Sequence, residues 1–290
     1  MLDSDGLARL MAEQRPRLHR YCARMIGSAF DGEDIVQDAL ANAAEAFPLA
    51  GEIRNPEGWL LRIAHNAALD ALRRRKRQGF AESDKALSEL ADETAQADSR
   101  VATAASLSTF LHLSPIERSS AVLADVLGHS LAETAGVLAL TLPAVKAALH
   151  RGRLRLRQLV DAPEEAVPKL AEADHKRLRA YADRFNARDF DALRDLLSEE
   201  VRLDLVNRTR LSGRKEVAVY FTRYEQNTTC RMSPGLAEGR PALLVNDPAV
   251  ATATIAYVIL FDWTGDRIAA IRDFRHAPYV MEDGLKVLTV

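Results

Sequence analysis

At 290 residues the chain is long enough for two or three domains, and with 48% hydrophobic residues it can bury sizeable cores. A net charge of −2 hides an uneven distribution: residues 73–77 are wholly basic, five basic residues and no acid lie between Lys146 and Arg157, and residues 81–99 are acidic with only Lys85 opposing. Two distant cysteines, Cys22 and Cys230, argue against a disulfide framework or a metal site, and Asp3, Asp5 and Arg9 break any signal-peptide run. No stretch approaches the roughly 18 uncharged apolar residues of a membrane span, so a cytoplasmic protein without membrane attachment, metal or cofactor is expected.

The first 78 residues read as helices. Leu7, Leu10, Met11, Leu18, Tyr21, Cys22, Met25 and Ile26 recur at helical spacing, and Pro16 is expected to start a second helix or kink the pair. The next helix spans 31–47, with Asp31 as its cap. Val36, Leu40, Ala43 and Phe47 form its buried seam. Asp34, Asp38, Ala41 and Glu45 fall opposite, a stripe that either docks a basic partner or keeps the helix soluble. A third helix spans 56–77, with Asn55 as cap and Pro56 as first residue. Leu60, Ala64, Ala67 and Ala71 face its core. Trp59, Ile63, Asn66, Asp70 and Arg74 share another stripe, whose aromatic, amide and guanidinium groups suit unpaired bases. Trp59 taken alone reads as a core residue, whereas the 73–77 cluster suits a nucleic-acid backbone.

Residues 79–108 read as a polar, acidic linker with one weak helix. Three helix starts follow: the capping boxes Ser114 to Glu117 and Ser130 to Glu133, and Thr141 before Leu142-Pro143. A helix over 130–138, a turn at 139–141 and a helix over 142–158 make a helix-turn-helix, packed through Ala135, Leu140, Val145 and Leu149. Lys146, His150, Arg151, Arg153 and Arg157 stay partly exposed for phosphates, and Ala144 and Ala147 approach bases by van der Waals contact. An ordinary helical hairpin with a solvated face is the alternative; the run of cations without acids favours DNA. Pro163 and Pro168 bracket a second linker. Helical spacing through Leu178, Tyr181, Phe185, Phe190, Leu193, Leu196 and Leu197 then gives way to strands at 201–206, 242–245, 249–263 and 267–274.

The stretch from Asp31 through Asp34, Gln37 and Asp38 resembles the polymerase-binding part of region 2 in extracytoplasmic-function sigma factors. Residues 56–75 are similar to the promoter-melting, −10-reading helix that follows it, and 113–153 to region 4, which reads the −35 element. The likeness covers about the first 160 residues. It implies that Asp34, Gln37 and Asp38 contact core RNA polymerase. Trp59, Arg62, Asn66, Asp70, Arg73, Arg74, Arg75, Lys76 and Arg77 would lie at melted −10 promoter DNA. Thr141, Ala144, Lys146, Ala147, His150, Arg151 and Arg153 would lie at the −35 groove. Two departures stand out: Ala139 replaces the usual turn glycine, and Pro143, Ala144 and Ala147 replace the usual small polar residues. The acidic residues Glu82, Asp84, Glu89, Asp92 and Glu93 are similar to the family's linker through polymerase, where their charge would mimic nascent RNA.

Residues from Tyr181 onward resemble a SnoaL-like domain, a curved sheet wrapped on helices with an apolar pocket. Asp204, Trp263, Arg272, Asp273 and His276 are its candidate pocket residues. Strand-end charges are more often solvated than catalytic, so a small-molecule ligand is expected there but no catalysis. The glycine-rich Asp-Gly-Gly-Gly-Lys signature of some sigma factors with this extension is missing. The expected organisation is multidomain. Two all-α DNA-binding domains, region 2 over 1–78 and region 4 over 110–160, flank the linker 79–109; a second linker, 161–174, precedes an α+β SnoaL-like cone over 175–290. The function implied is a sigma factor regulated in cis by its last domain. Two alternatives are a polymerase-independent helix-turn-helix regulator and a SnoaL-type enzyme.

Overall fold

The computed structural model describes residues 3–78, 95–160, 169–250, 255–282 and 284–289. The acidic positions Glu82, Asp84, Glu89, Asp92 and Glu93, with Lys85, Pro163 and Pro168, lie outside the described residues. The chain divides into two compact units, Met1–Glu164 and Glu165–Val290.

The first unit is all-helical: α1 (Ser4–Ile26), α2 (Ala29–Ala46), α3 (Pro56–Arg77), α4 (Ala95–Ala104), α5 (Pro115–Ala121), α6 (Leu131–Leu138) and α7 (Leu142–Val160). Asp3 caps α1 by accepting the Gly6 amide at 2.7 Å, and Gly27 ends it in the left-handed conformation, φ 75°. Pro16 sits inside this one unbroken helix, against the expected start or kink. The amide it lacks is outweighed by the burial of Leu18, Tyr21, Met25 and Ile26 just beyond it. The cap of α2 is Ser28, not Asp31: Ser28 Oγ accepts the Asp31 amide at 3.2 Å, and Asp31 turns its carboxylate to Arg75. The two helices cross closely at Gly32, where an added Cβ would lie 2.6 Å from the Ala23 Cα. The weak helix expected in the linker is α4.

Both expected capping boxes form, on α5 and α6. The chain after α5 widens into a π-turn, Val122–Val126. One core joins residues from all parts of the unit, including Leu18, Tyr21, Val36, Leu60, Ala64, Phe110, Leu123, Val137 and Leu149. Arg118, fully buried, ties the parts further. Its guanidinium donates to the Met25 carbonyl at the end of α1 and to the carbonyls of Leu111 and Leu113, the latter at 2.9 Å.

The second unit is α+β. It contains α8 (Glu172–Asn186), α9 (Phe190–Asp195), β1 (Leu197–Leu205), β2 (Thr209–Ser212), α10 (Arg214–Gln226), β3 (Arg231–Ala237), β4 (Arg240–Asn246), β5 (Tyr257–Thr264), β6 (Arg267–Asp273), α11 (Tyr279–Glu282) and β7 (Val287–Thr289). The strands form one mixed sheet in the order β2-β1-β6-β5-β4-β3-β7, with β1 and β6 parallel. Helical Leu178, Tyr181, Phe185, Val217, Phe221 and Tyr224 pack against Leu203, Leu205, Ile259 and Ile271 of the sheet. This is the helix-backed sheet expected of a SnoaL-like cone. The strand expected over 249–263 begins at Tyr257, and its residues 251–254 lie outside the described ones. Strand β3 was not expected from the sequence.

Candidate nucleic-acid interface and C-terminal cavity

On α2, burial of Val36, Ala39 and Ala43 turns Asp34 and Asp38 to solvent, with Gln37 half-buried beside them. On α3, Leu60, Ala64, Ala68 and Ala71 face the core, so Arg62, Asn66, Asp70, Arg73, Arg74, Lys76 and Arg77 are exposed. Asp70 pairs with Arg73 at 2.8 Å. Arg75 departs from the expected basic cluster: it bends back to Asp31 and donates to the Ile26 carbonyl at 2.7 Å. It braces the helix ends rather than extending into solvent. Trp59 is half-buried, its ring 6.5 Å from that of Phe47. With Arg62 it lines a cleft of about 440 Å³ whose other wall is His129, Glu133, Gly136 and Val137. The Arg62 guanidinium donates to the Gly136 carbonyl on α6. Two residues expected at −10 DNA therefore face the first helix of the helix-turn-helix.

The helix-turn-helix forms as α6, a turn and α7. Ala139 ends α6 with φ 54°, the left-handed conformation that a glycine adopts without strain. Thr141 Oγ1 accepts the Ala144 amide at 3.3 Å, which starts α7. Val145, Ala148 and Leu149 are buried, leaving Thr141, Ala144, Lys146, Ala147 and Arg151 exposed and His150 half-exposed. Arg151 bonds Glu117 at 2.9 Å, and the bonds from Arg151 and Ser114 hold the Glu117 carboxyl below its ordinary range although burial pushes it up.

Arg153 does not join this face. It makes a two-pronged bond to Asp125 at 3.0 and 2.6 Å, with Asp98 at 3.7 Å. Arg157 binds Asp98 at 2.8 Å. Both carboxylates are buried, so these arginines hold α4 and the π-turn onto α7. Asp98, read as part of an acidic tether, is thus a packing residue.

The C-terminal candidates split across the sheet. Asp204 lies opposite Arg272 in the β1–β6 register, and the two pair at 3.7 Å on the face away from the core. Trp263 stands further along β5, stacked under Arg177 and beside Phe261. Asp273 and His276 alone of the five line a cavity of about 440 Å³, together with Leu205, Arg208, Tyr220, Arg223, Tyr224 and Arg275. Strand alternation explains the division, since Leu205 and Asp273 point to the helices where Asp204 and Arg272 do not.

Asp273 Oδ2 accepts the hydroxyls of Tyr220 at 2.6 Å and Tyr224 at 2.9 Å, and its Oδ1 accepts the Arg275 amide at 2.8 Å. Burial raises its carboxyl above the ordinary range, and these bonds pull the other way. Tyr257 extends the network, its hydroxyl 3.1 Å from that of Tyr224. Arg275 lies over the Tyr224 and Tyr257 rings and reaches buried Asp247 at 3.2 Å. The site is therefore arginine-walled, not the apolar pocket expected. Tyr220 and Tyr224 were missed in the sequence, although their spacing of four on an amphipathic helix marks one face.

A helical bundle with an exposed acidic face, an exposed basic helix and a helix-turn-helix is the outline of a promoter-recognition protein. Sigma-70 region 2 matches residues 10–78 and Sigma-70 region 4 matches residues 107–156. The chain is 33% identical over 162 residues to the ECF RNA polymerase sigma factor SigM of Mycobacterium tuberculosis, covering 54% of this chain and 79% of that one. It is 28% identical to SigW of Bacillus subtilis, covering 54% and 89%. The chain belongs to the extracytoplasmic-function (ECF) RNA polymerase sigma factors. Among solved structures, it aligns with the M. tuberculosis sigma factor SigJ at TM-score 0.35 and 19% identity, over 92% of this chain and 95% of that one. It aligns with the sigma factor RpoE in complex with the anti-sigma factor NepR from Bartonella quintana at TM-score 0.42 and 21% identity, over 54% and 98%.

Proposed function

We propose that this sigma factor engages core RNA polymerase through Asp34, Gln37 and Asp38 of α2, and promoter DNA through two separate faces. One is the exposed side of α3, from Trp59 and Arg62 through Asn66 and Asp70 to Arg73, Arg74, Lys76 and Arg77. The other is the start of α7: Thr141, Ala144, Lys146, Ala147, His150 and Arg151. The observation that carries this reading is the sorting of charge in one all-helical unit. Acids are exposed on α2 while the end of α3 and the outer side of α7 are basic. A polymerase-independent regulator would leave the acidic face of α2 without a role.

The bond from Arg62 to Gly136 ties α3 to α6, so full access to Trp59 and Arg62 requires these helices to part. The C-terminal unit acts in cis as a ligand-binding regulator, at the high effective concentration that a tether provides. We assign it binding rather than turnover of its ligand, since two tyrosine hydroxyls and an amide hold the Asp273 carboxylate in place. We assign the protein to the cytoplasm; among the described residues no single helix is long and apolar enough to cross a membrane. Association with purified core polymerase, then run-off transcription with and without residues 170–290, tests the proposal. Failure to bind core at low salt overturns it.

A further inference from the structure

We propose that the cavity beside Asp273 binds a small aromatic oxyanion, a carboxylate or phosphate ester, gripped by Arg208, Arg223 and Arg275. The inference deepens the reading of the C-terminal unit as a ligand-binding regulator and rests on it for its consequence in transcription.

Cation balance is the first argument. Arg208, Arg223, Arg275 and His276 converge on one cavity of about 440 Å³. Arg275 is matched by Asp247 at 3.2 Å. Among the described residues the side chains of Arg208 and Arg223 have no ion pair or hydrogen bond. The one carboxylate on the cavity wall, Asp273, has its oxygens committed to Tyr220, Tyr224 and the Arg275 amide. Arg208, Arg223, Arg275 and His276 thus outnumber Asp273, the one carboxylate on the cavity wall, and an anion relieves the repulsion among the cations. Guanidinium groups in a fork match the two or three oxygens of a carboxylate or phosphate.

The second argument is the wall. Leu205, Tyr220 and Tyr224, each at most 4% exposed, line the cavity with the edges of apolar side chains beneath the cations, against which a small planar body can seat, and the volume lies in the range of small-molecule sites.

Isothermal titration of the full chain with benzoate, phenyl phosphate and the neutral isostere benzamide tests this. Both anions are expected to bind at least about tenfold more tightly than benzamide. Their ratio distinguishes a carboxylate from a phosphate preference. Arg208→Gln and Arg223→Gln, both at exposed positions, are each expected to weaken the anions about tenfold and leave the thermal melt unchanged. Arg179→Gln, at an exposed position on α8 outside the cavity, is expected to leave anion binding unchanged. Equal affinity for benzoate and benzamide, unaltered binding in Arg208→Gln and Arg223→Gln, or loss of binding in Arg179→Gln overturns the site. Run-off transcription with benzoate is a separate readout: binding without any change in transcript leaves the site standing and removes the regulatory reading.

Discussion

Arg151 and Arg153 are two residues apart on α7, and they do different things. Arg151 is exposed against Glu117, a pair that a DNA phosphate can exchange. Arg153 is committed to buried Asp125 and Asp98. Arg151→Ala is expected to leave the melting temperature almost unchanged, weaken promoter binding and lower the salt slope by about one unit. Arg153→Ala strands the buried Asp125 carboxylate, while Asp98 keeps Arg157, and is expected to cost about 3–5 kcal/mol in denaturant unfolding. The sequence does not separate these cations. The acids of Arg153, Asp98 and Asp125, lie far upstream of α7, and nothing in the local pattern announces the pairing.

His65 makes a second residue-scale prediction. Burial, and then the charge of Arg62, lower its pKa from 6.5 to about 4, and the Tyr21 hydroxyl lies 2.6 Å from its Nδ1. Above pH 6.5 the ring is neutral in folded and unfolded chains alike. As pH falls from 6.5 toward 4 the unfolded chain gains a proton that the folded one resists, so stability falls. The full loss is about 3 kcal/mol. Denaturant titrations across this window should show that slope, and His65→Gln should flatten it.

At the scale of the element, Ala139 holds a conformation that costs a side-chain-bearing residue about 1–2 kcal/mol. Ala139→Gly is therefore expected to raise the melting temperature by a few degrees. Gly32→Ala acts oppositely, since its methyl would press into the backbone of Ala23, and a loss of about 1–3 kcal/mol is expected. Most helices were legible because their apolar spacing and caps agree. The capping boxes at Ser114 and Ser130 are local signals that the folded chain uses as written. Pro16 misled because a local breaker competes with tertiary burial, and burial wins. Strand β3 was illegible because Pro234 cannot donate to a ladder and Gly235 weakens a strand pattern. Yet β7 pairs only with Gly235, Leu236 and Ala237, so Pro234 lies beyond that pairing, and Gly235 admits Leu244 and the Leu288 carbonyl where a Cβ would clash.

For the molecule as a whole, Asp34→Lys with Asp38→Lys should abolish association with core polymerase in a pulldown while the circular dichroism spectrum stays unchanged, because both side chains are exposed. Retained association would move the contact elsewhere. Fluorescent labels at Arg74→Cys and Lys146→Cys should separate on adding core polymerase; an unchanged distance would mean that α3 and α6 stay joined at the promoter. The native cysteines are buried, which keeps such labelling selective. The polymerase and DNA candidates could be read because they lie on continuous helices where one stripe defines the other. The cavity was half-read. Its residues come from β1, the turn after it, α10, β6 and the chain just after β6, and only the sheet register tells which strand neighbour points inward.

That register has a consequence for synthesis. Strand β1 is flanked by β2 and by β6, so one of its edges has no partner until residue 273 has left the ribosome. The helical unit, Met1–Glu164, precedes these strands in the chain, so its internal packing can be complete by then. The helical unit would thus emerge first, and chains truncated before β6 should expose β1 as an unpaired, aggregation-prone edge strand.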